Sequence, residues 1–323
     1  MKPFLIDVPV ALIFFNRPDT FAKVFEAVAK ARPSKLFLIQ DGARENRKDD
    51  VENIAKCREF INVDWECEVH EDYSDHNLGC GARVYSGITN AFKVVDRLVI
   101  IEDDIVISED MLPFCAELLE RYKDDQRFYS ISCLNHMGTY DTPYSYVFTT
   151  RGGGITGWAT WKRVWDEMDY SIECADDKFS MSIFRLFKRP KIDGDWWANK
   201  VETTRNALKE GKKLSAWSYA FLFTTAFSQN RLRIVSSKNL ITNIGLQGAN
   251  SNASSLTTVP RGLRKIYFAP AHKISWPLNH PKYVIDDYDF ATQMDKVLGV
   301  GKVRSLLRAI EHKLYCIFPF LGK

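Results

Sequence analysis

The sequence predicts an α/β protein built on a mainly parallel sheet, and three observations carry that reading. Leu98-Val99-Ile100-Ile101 is an unbroken apolar run, the pattern of a strand buried on both faces. Two further strands, Val10 to Phe15 and Lys35 to Gln40, flank a segment with Phe21, Val24, Phe25 and Val28 on one helical face, so they should lie parallel with a right-handed crossover. Each strand also ends in polar residues, namely Asn16-Arg17, Asp41-Gly42 and Glu102-Asp103-Asp104, and ligands of such sheets collect at strand carboxyl ends.

Composition narrows the class. A chain of 323 residues with 26% charged residues and a net charge of +3 can bury a large core, and it is neither a dedicated nucleic-acid binder nor a disordered chain. Seven cysteines without a CxxC pair fit a reducing compartment. No apolar run approaches the roughly 20 residues that span a bilayer, and no signal-peptide pattern opens the chain, so a cytoplasmic location is expected.

Taken in order, the first strand stops at Asn16-Arg17-Pro18-Asp19, and Asp19 or Thr20 can cap a helix running through Lys30. The second strand ends at Asp41-Gly42. A charged loop from Arg44 to Asp50 leads to a helix through Phe60, Cys67 to His70 forms a short strand, and Asn77 to Arg83 makes a glycine-bearing turn into a helix ending near Phe92. Glycines before a helix let backbone amides approach an anion, although no intact GxGxxG or P-loop is present. Ser108-Glu109-Asp110 resembles a helix start, Pro113 to Tyr122 is helical, Phe128 to Ser132 is a strand, and Tyr144 to Thr149 alternates like a half-buried strand. Arg151 to Trp161 sets four glycines beside two tryptophans, which suits a backbone bent around a ligand under an indole platform, or else a packing elbow. Strands are expected at Arg233 to Val235 and within Asn239 to Gly245, ahead of a polar loop through Ser255.

The acids carry the chemistry. Three adjacent carboxylates repel one another, a cost that a divalent cation and backbone donors offset, and hard oxygen ligands favour magnesium or manganese over zinc. A solvated acidic turn is the plainer alternative. At neighbouring strand ends, Arg17 can meet a diphosphate and Asp41 can accept from a base or ribose.

Arg17, Gln40-Asp41-Gly42, Asn77-Leu78-Gly79-Cys80-Gly81 with Arg83 and Gly87, Glu102-Asp103-Asp104, Gly157-Trp158-Ala159-Thr160-Trp161 and Asn243-Ile244-Gly245 occur in an order that resembles a group of bacterial glycosyltransferases of surface-polysaccharide clusters. The group is distantly similar to animal N-acetylglucosaminyltransferase I. The resemblance covers about residues 8 to 255. It implies a GT-A fold over residues 1–290, with a nucleotide-binding half to about 107 and an acceptor-binding half over 108–290, followed by a C-terminal helical extension over 291–323. It further implies transfer of a sugar, with inversion, from a UDP-sugar or another nucleoside diphosphate sugar to a glycan or polyprenyl-linked glycan. On that basis Asn16, Arg17, Asp41, Arg83, Glu102 and Asp103 are expected nucleotide contacts, Asp104 the ligand of Mn2+ or Mg2+, and Gly157 and Trp158 the lining of the donor sugar or acceptor.

Two positions depart from the group. Trp217-Ser218-Tyr219 carries a serine where relatives often have an aspartate that resembles a catalytic base, and serine is too weak a base for that task. Asn252 stands near where relatives often place a histidine. Asp195, beside Trp196 and Trp197, is the substitute base, with Asp193 second and a helix cap as the plain alternative. A non-catalytic GT-A binding module and a sugar nucleotidyltransferase are the competing readings. The C-terminal segment places Val303, Leu306, Leu307, Ile310, Leu314 and Ile317 at helical spacing among Lys302, Arg304, Arg308 and Lys313, an amphipathic basic helix suited either to packing on the domain or to an anionic leaflet. Ile183 to Lys191 has the same basic and aromatic character.

Overall fold

A computed structural model describes residues 1–151, 154–187, 191–212, 217–245, 259, 264, 267–298 and 302–318. Strands β1 (Ile6–Phe14), β2 (Pro33–Gln40), β3 (Glu68–Tyr73) and β4 (Arg97–Glu102) alternate with helices α1 (Pro18–Ala31), α2 (Lys48–Glu59) and α3 (Cys80–Ala91). β1 pairs in parallel with both β2 and β4, and β2 with β3, so the expected strand, helix, strand units are present. Val10, Ala11, Leu12, Leu36, Leu38, Val99 and Ile101 are fully buried, which is why these strands read as apolar runs. Helix α1 starts differently from expectation. Pro18 occupies the first turn, where its missing N–H costs nothing, and the Thr20 hydroxyl donates to the Arg17 carbonyl instead of capping an amide.

The second half comprises β5 (Ile105–Ile107), α4 (Met111–Arg121), β6 (Phe128–Ser132), β7 (Tyr146–Thr149), β8 (Trp158–Trp161), α5 (Lys162–Trp165), α6 (Lys178–Phe187), α7 (Lys191–Lys209), α8 (Ser218–Phe221), β9 (Leu232–Ser236), β10 (Ile241–Asn243), α9 (Tyr288–Leu298) and α10 (Lys302–Ile317). One sheet of order β3-β2-β1-β4-β8-β6-β9-β7 runs through both halves, and β10 pairs with β5 in a separate antiparallel ribbon. β8 lies antiparallel between β4 and β6, and β7 is antiparallel to β9. The mixed α/β architecture, with a mostly parallel sheet and C-terminal helices, is the fold class the sequence predicts.

Three segments differ from expectation. Trp158–Trp161 is a buried strand, with Trp158 only 1% exposed and stacked 5.9 Å from Trp217. β7 is buried at all four residues because α9 lays Phe290 and Met294 against Val147 and Val235. Position 290 therefore falls inside a helix that packs on the sheet. Asp110 precedes α4, but its carboxylate accepts from the Ile274 amide and the Trp276 indole, not from the helix. Lys188, Arg189 and Asn252 lie outside the described residues. Among the described residues no helix is long and apolar enough to cross a membrane.

Candidate functional site

The carboxyl ends of β1, β2 and β4 converge on one cleft of about 500 Å³. Its wall includes Phe15, Arg17, Asp41, Arg44, Asn77, Cys80, Arg83, Glu102, Asp103, Asp104, Gly245 and Tyr267. Strand ends built by distant parts of the chain thus meet where the parallel sheet leaves its ligand crevice.

Arg17 is the cation among the acids. Its Nη2 lies 2.5 Å from Asp103 Oδ1 and its Nη1 lies 3.2 Å from Asp104 Oδ2, while Asp103 Oδ2 accepts from the Phe15 amide at 3.2 Å. Burial opposes the Arg17 charge, but Asp103, Asp104 and Glu102 outweigh it and raise the pKa. One guanidinium does not balance three carboxylates. Burial first, then the charges of Asp104 and Asp103, push Glu102 above the ordinary carboxylate range; Asp103 is raised by burial although Arg17 opposes this. The same field reaches Cys80, whose thiol is pushed up to about 11 by burial and by Glu102, Asp103 and Asp41, so it stays protonated at neutral pH.

Asn16, Asp41 and Arg83 border the cleft, yet their polar groups are engaged within the protein. Asp41 accepts from the amides of Gly42, Leu78 and Gly79 and from Asn77 Nδ2, at 2.8–3.1 Å, and so holds the glycine turn against the end of β2. Asn16 Nδ2 donates to Asp50, a fully buried carboxylate that also takes the Arg44 amide and guanidinium. Arg83 donates to the Gln40 carbonyl and to Asp72, tying the ends of β2 and β3 together. All three remain among the residues lining the cleft, where the resemblance expects nucleotide contacts, with these polar groups held by protein partners in this conformation. Their strand-end positions are legible in sequence, whereas their partners are not.

Asp104 is closed in from the far half. The Ile244 amide donates to the Asp104 carbonyl at 2.8 Å, and Asn243 Oδ1 accepts from the Gly245 amide. A Cβ on Gly245 would stand 2.3 Å from Asp104 Oδ2, so a larger residue here would have to displace the Asp104 carboxylate. Tyr267 also faces it, its pKa raised by burial and then by Asp104. Neither Gly245 nor Tyr267 is an expected site residue; Asn243-Ile244-Gly245 is a visible motif, but no signal marks Tyr267. Phe15 adds a half-exposed ring with the Arg44 guanidinium 5.6 Å from its centroid.

Gly157, Trp158 and Asp195 stand elsewhere. Gly157 has a positive φ of 56°, and a Cβ there would meet Ile241 and Ile105, which makes it the packing elbow under the β5–β10 ribbon. Trp158, buried beside Trp217 and Phe221, is part of the core rather than an indole platform. Asp195 lies within α7, 3.9 Å from Arg185, and is neither a helix cap nor among the residues lining the cleft.

The acids fit a hard divalent cation in one respect: Asp104 offers a partly exposed oxygen donor amid uncompensated negative charge. Among the described residues, no group of three or more His, Cys, Asp or Glu side chains is arranged to hold a metal unaided. One carboxylate suits magnesium or manganese when phosphate oxygens and water supply the remaining positions.

No family model and no curated protein matches the sequence. Among solved structures, the chain is similar to Staphylococcus aureus TarS 1-349, at 10% identity and a TM-score of 0.39, over 76% of this chain and 61% of that one. It is similar to a Pyrobaculum calidifontis mannosyltransferase in complex with GDP-Man and Mn2+, at 11% identity and a TM-score of 0.30, over 50% and 47% of the two chains. A structure described as a mannose-1-phosphate geranyltransferase from Thermus thermophilus aligns over 75% of each chain, at 13% identity and a TM-score of 0.31. The match thus spans less than two thirds of the length of the TarS fragment, and likeness at this level bears on neither activity nor substrate.

Proposed function

We propose that the protein is a glycosyltransferase that binds a nucleoside diphosphate sugar, most simply a UDP-sugar, and moves the sugar to a glycan or lipid-linked glycan with Mn2+ or Mg2+. The observation that carries this reading is the cleft itself, in which Glu102, Asp103 and Asp104 end a central parallel strand beside Arg17 and under Gly245. Phe15 with Arg44 offers a flat surface of the size of a base, and the buried acids of β4 can accept from ribose or base donors. Arg17, with Gly79 and Cys80 at the start of α3, lines the space where a diphosphate would lie. A departing nucleoside diphosphate gains negative charge, and a cation at Asp104 would stabilise it. Among the described residues, the carboxylates lining the cleft are Asp41, Glu102, Asp103 and Asp104, and Asp195 is not one of them.

That last point favours a second reading, a binding module without turnover. Release of nucleoside diphosphate from a panel of nucleotide sugars separates the two. Binding is tested first by thermal unfolding with UDP, GDP and their sugars, with and without Mn2+. A ligand at about 100 times its Kd stabilises the fold by about 2.7 kcal/mol and raises Tm by several degrees. An unchanged Tm across the whole panel, with either metal, would exclude both readings.

A further inference from the structure

Helix α10 turns its apolar stripe outward. Val303, Leu306, Leu307, Ile310, Leu314 and Ile317 are between 43% and 71% exposed. At 3.6 residues per turn they fall within an arc of about 100°, a continuous face rather than scattered side chains. The helix is anchored by a different side. Tyr315 is buried, donates to Glu311 Oε1 at 2.6 Å, and has the Arg264 guanidinium 5.3 Å from its ring centroid. The stripe is therefore not the surface that holds α10 to the protein.

Charge points to the occupant. By helical periodicity, sequence positions Lys302 and Lys313 fall at one edge of the stripe, Arg304 and Arg308 fall on the side of Tyr315, and the helix carries a single acid, Glu311. A second copy of α10 packed antiparallel on the stripe would set the Lys302 and Lys313 edge against itself and repel. An anionic bilayer satisfies both features, because the apolar arc sinks to the acyl boundary while the cations at the Lys302 and Lys313 edge reach phosphate headgroups. We propose that α10 lies in the plane of an anionic phospholipid surface and docks the protein on it. Vesicle binding needs no turnover, so its failure and that of the transferase reading are separate results.

The test uses the full chain and vesicles of equimolar phosphatidylglycerol and phosphatidylcholine, or of phosphatidylcholine alone. Sedimentation with the anionic vesicles should exceed that with the neutral ones, and it should fall in high salt. The L307D/I310D variant changes two exposed positions, so its Tm should hold while anionic-vesicle binding drops about tenfold or more. V51D, at an exposed apolar position on α2, is the control and should bind like the parent. No binding by the parent, equal binding by L307D/I310D, or a parent dimer that this variant dissociates without any vesicle binding would each overturn the proposal.

Discussion

Asp104→Asn is expected to lower metal-dependent sugar transfer by about a hundredfold or more, with the folded state undisturbed. The substitution keeps the side-chain shape and removes both the crowding of Glu102 and Asp103 and the ion pair to Arg17, two opposed effects, so stability should hold within about 1 kcal/mol. It also alters Glu102. Burial is the largest cause of the raised Glu102 pKa and the Asp104 charge is the next, so loss of that charge should let Glu102 ionise at lower pH. Turnover with Mn2+ and Mg2+, alongside a melting curve, checks both statements. Full activity in the variant would remove Asp104 from the metal assignment.

Trp158→Ala is expected to destabilise the fold by about 3–5 kcal/mol, the usual cost of emptying a buried indole site. The indole is 1% exposed and touches Trp217 and Phe221, and its strand joins β4 to β6 at the centre of the sheet. Trp158→Phe should recover much of the loss. Denaturant midpoints give the stability change and steady-state kinetics give KM. A sugar platform would show the opposite pattern, a raised KM with an unchanged midpoint, and that outcome would return Trp158 to the site.

Strands β1, β2, β4 and β6 are legible in the sequence because apolar runs at sheet positions buried on both faces need no partner to be recognised. Trp158–Trp161 was open to misreading for the same physical reason. With both faces buried it shows no alternation, and its glycine-rich approach resembles a ligand loop. β5 spans three residues and owes its pairing to β10, far along the chain, which local pattern does not report. The site divides likewise. Strand-end positions placed Arg17, Asp41 and the acids of β4 together, but whether a polar group faces substrate or protein depends on its partner. Asp41 is engaged by amides at Leu78 and Gly79, Asn16 by Asp50, and Arg83 by Asp72. Tyr267 and the close approach of Gly245 to Asp104 exist only once β10 has found β5.

The strand order also bears on the route by which the chain folds. β1 meets a neighbour nearby in sequence, with Val10 opposite Leu36, whereas β6 waits for β9, with Ile131 opposite Ile234 and Val147 of β7 opposite Val235. Closing a longer loop costs more chain entropy before any contact offsets it. The β3-β2-β1 edge should therefore assemble early and the β6-β9-β7 edge late. Pulsed hydrogen exchange during refolding should protect amides of β1 and β2 ahead of those of β7 and β9, and simultaneous protection would contradict this. In a nascent chain, Arg17 and Asp41 would then occupy their places while the residues that close over Asp104 are still being synthesised.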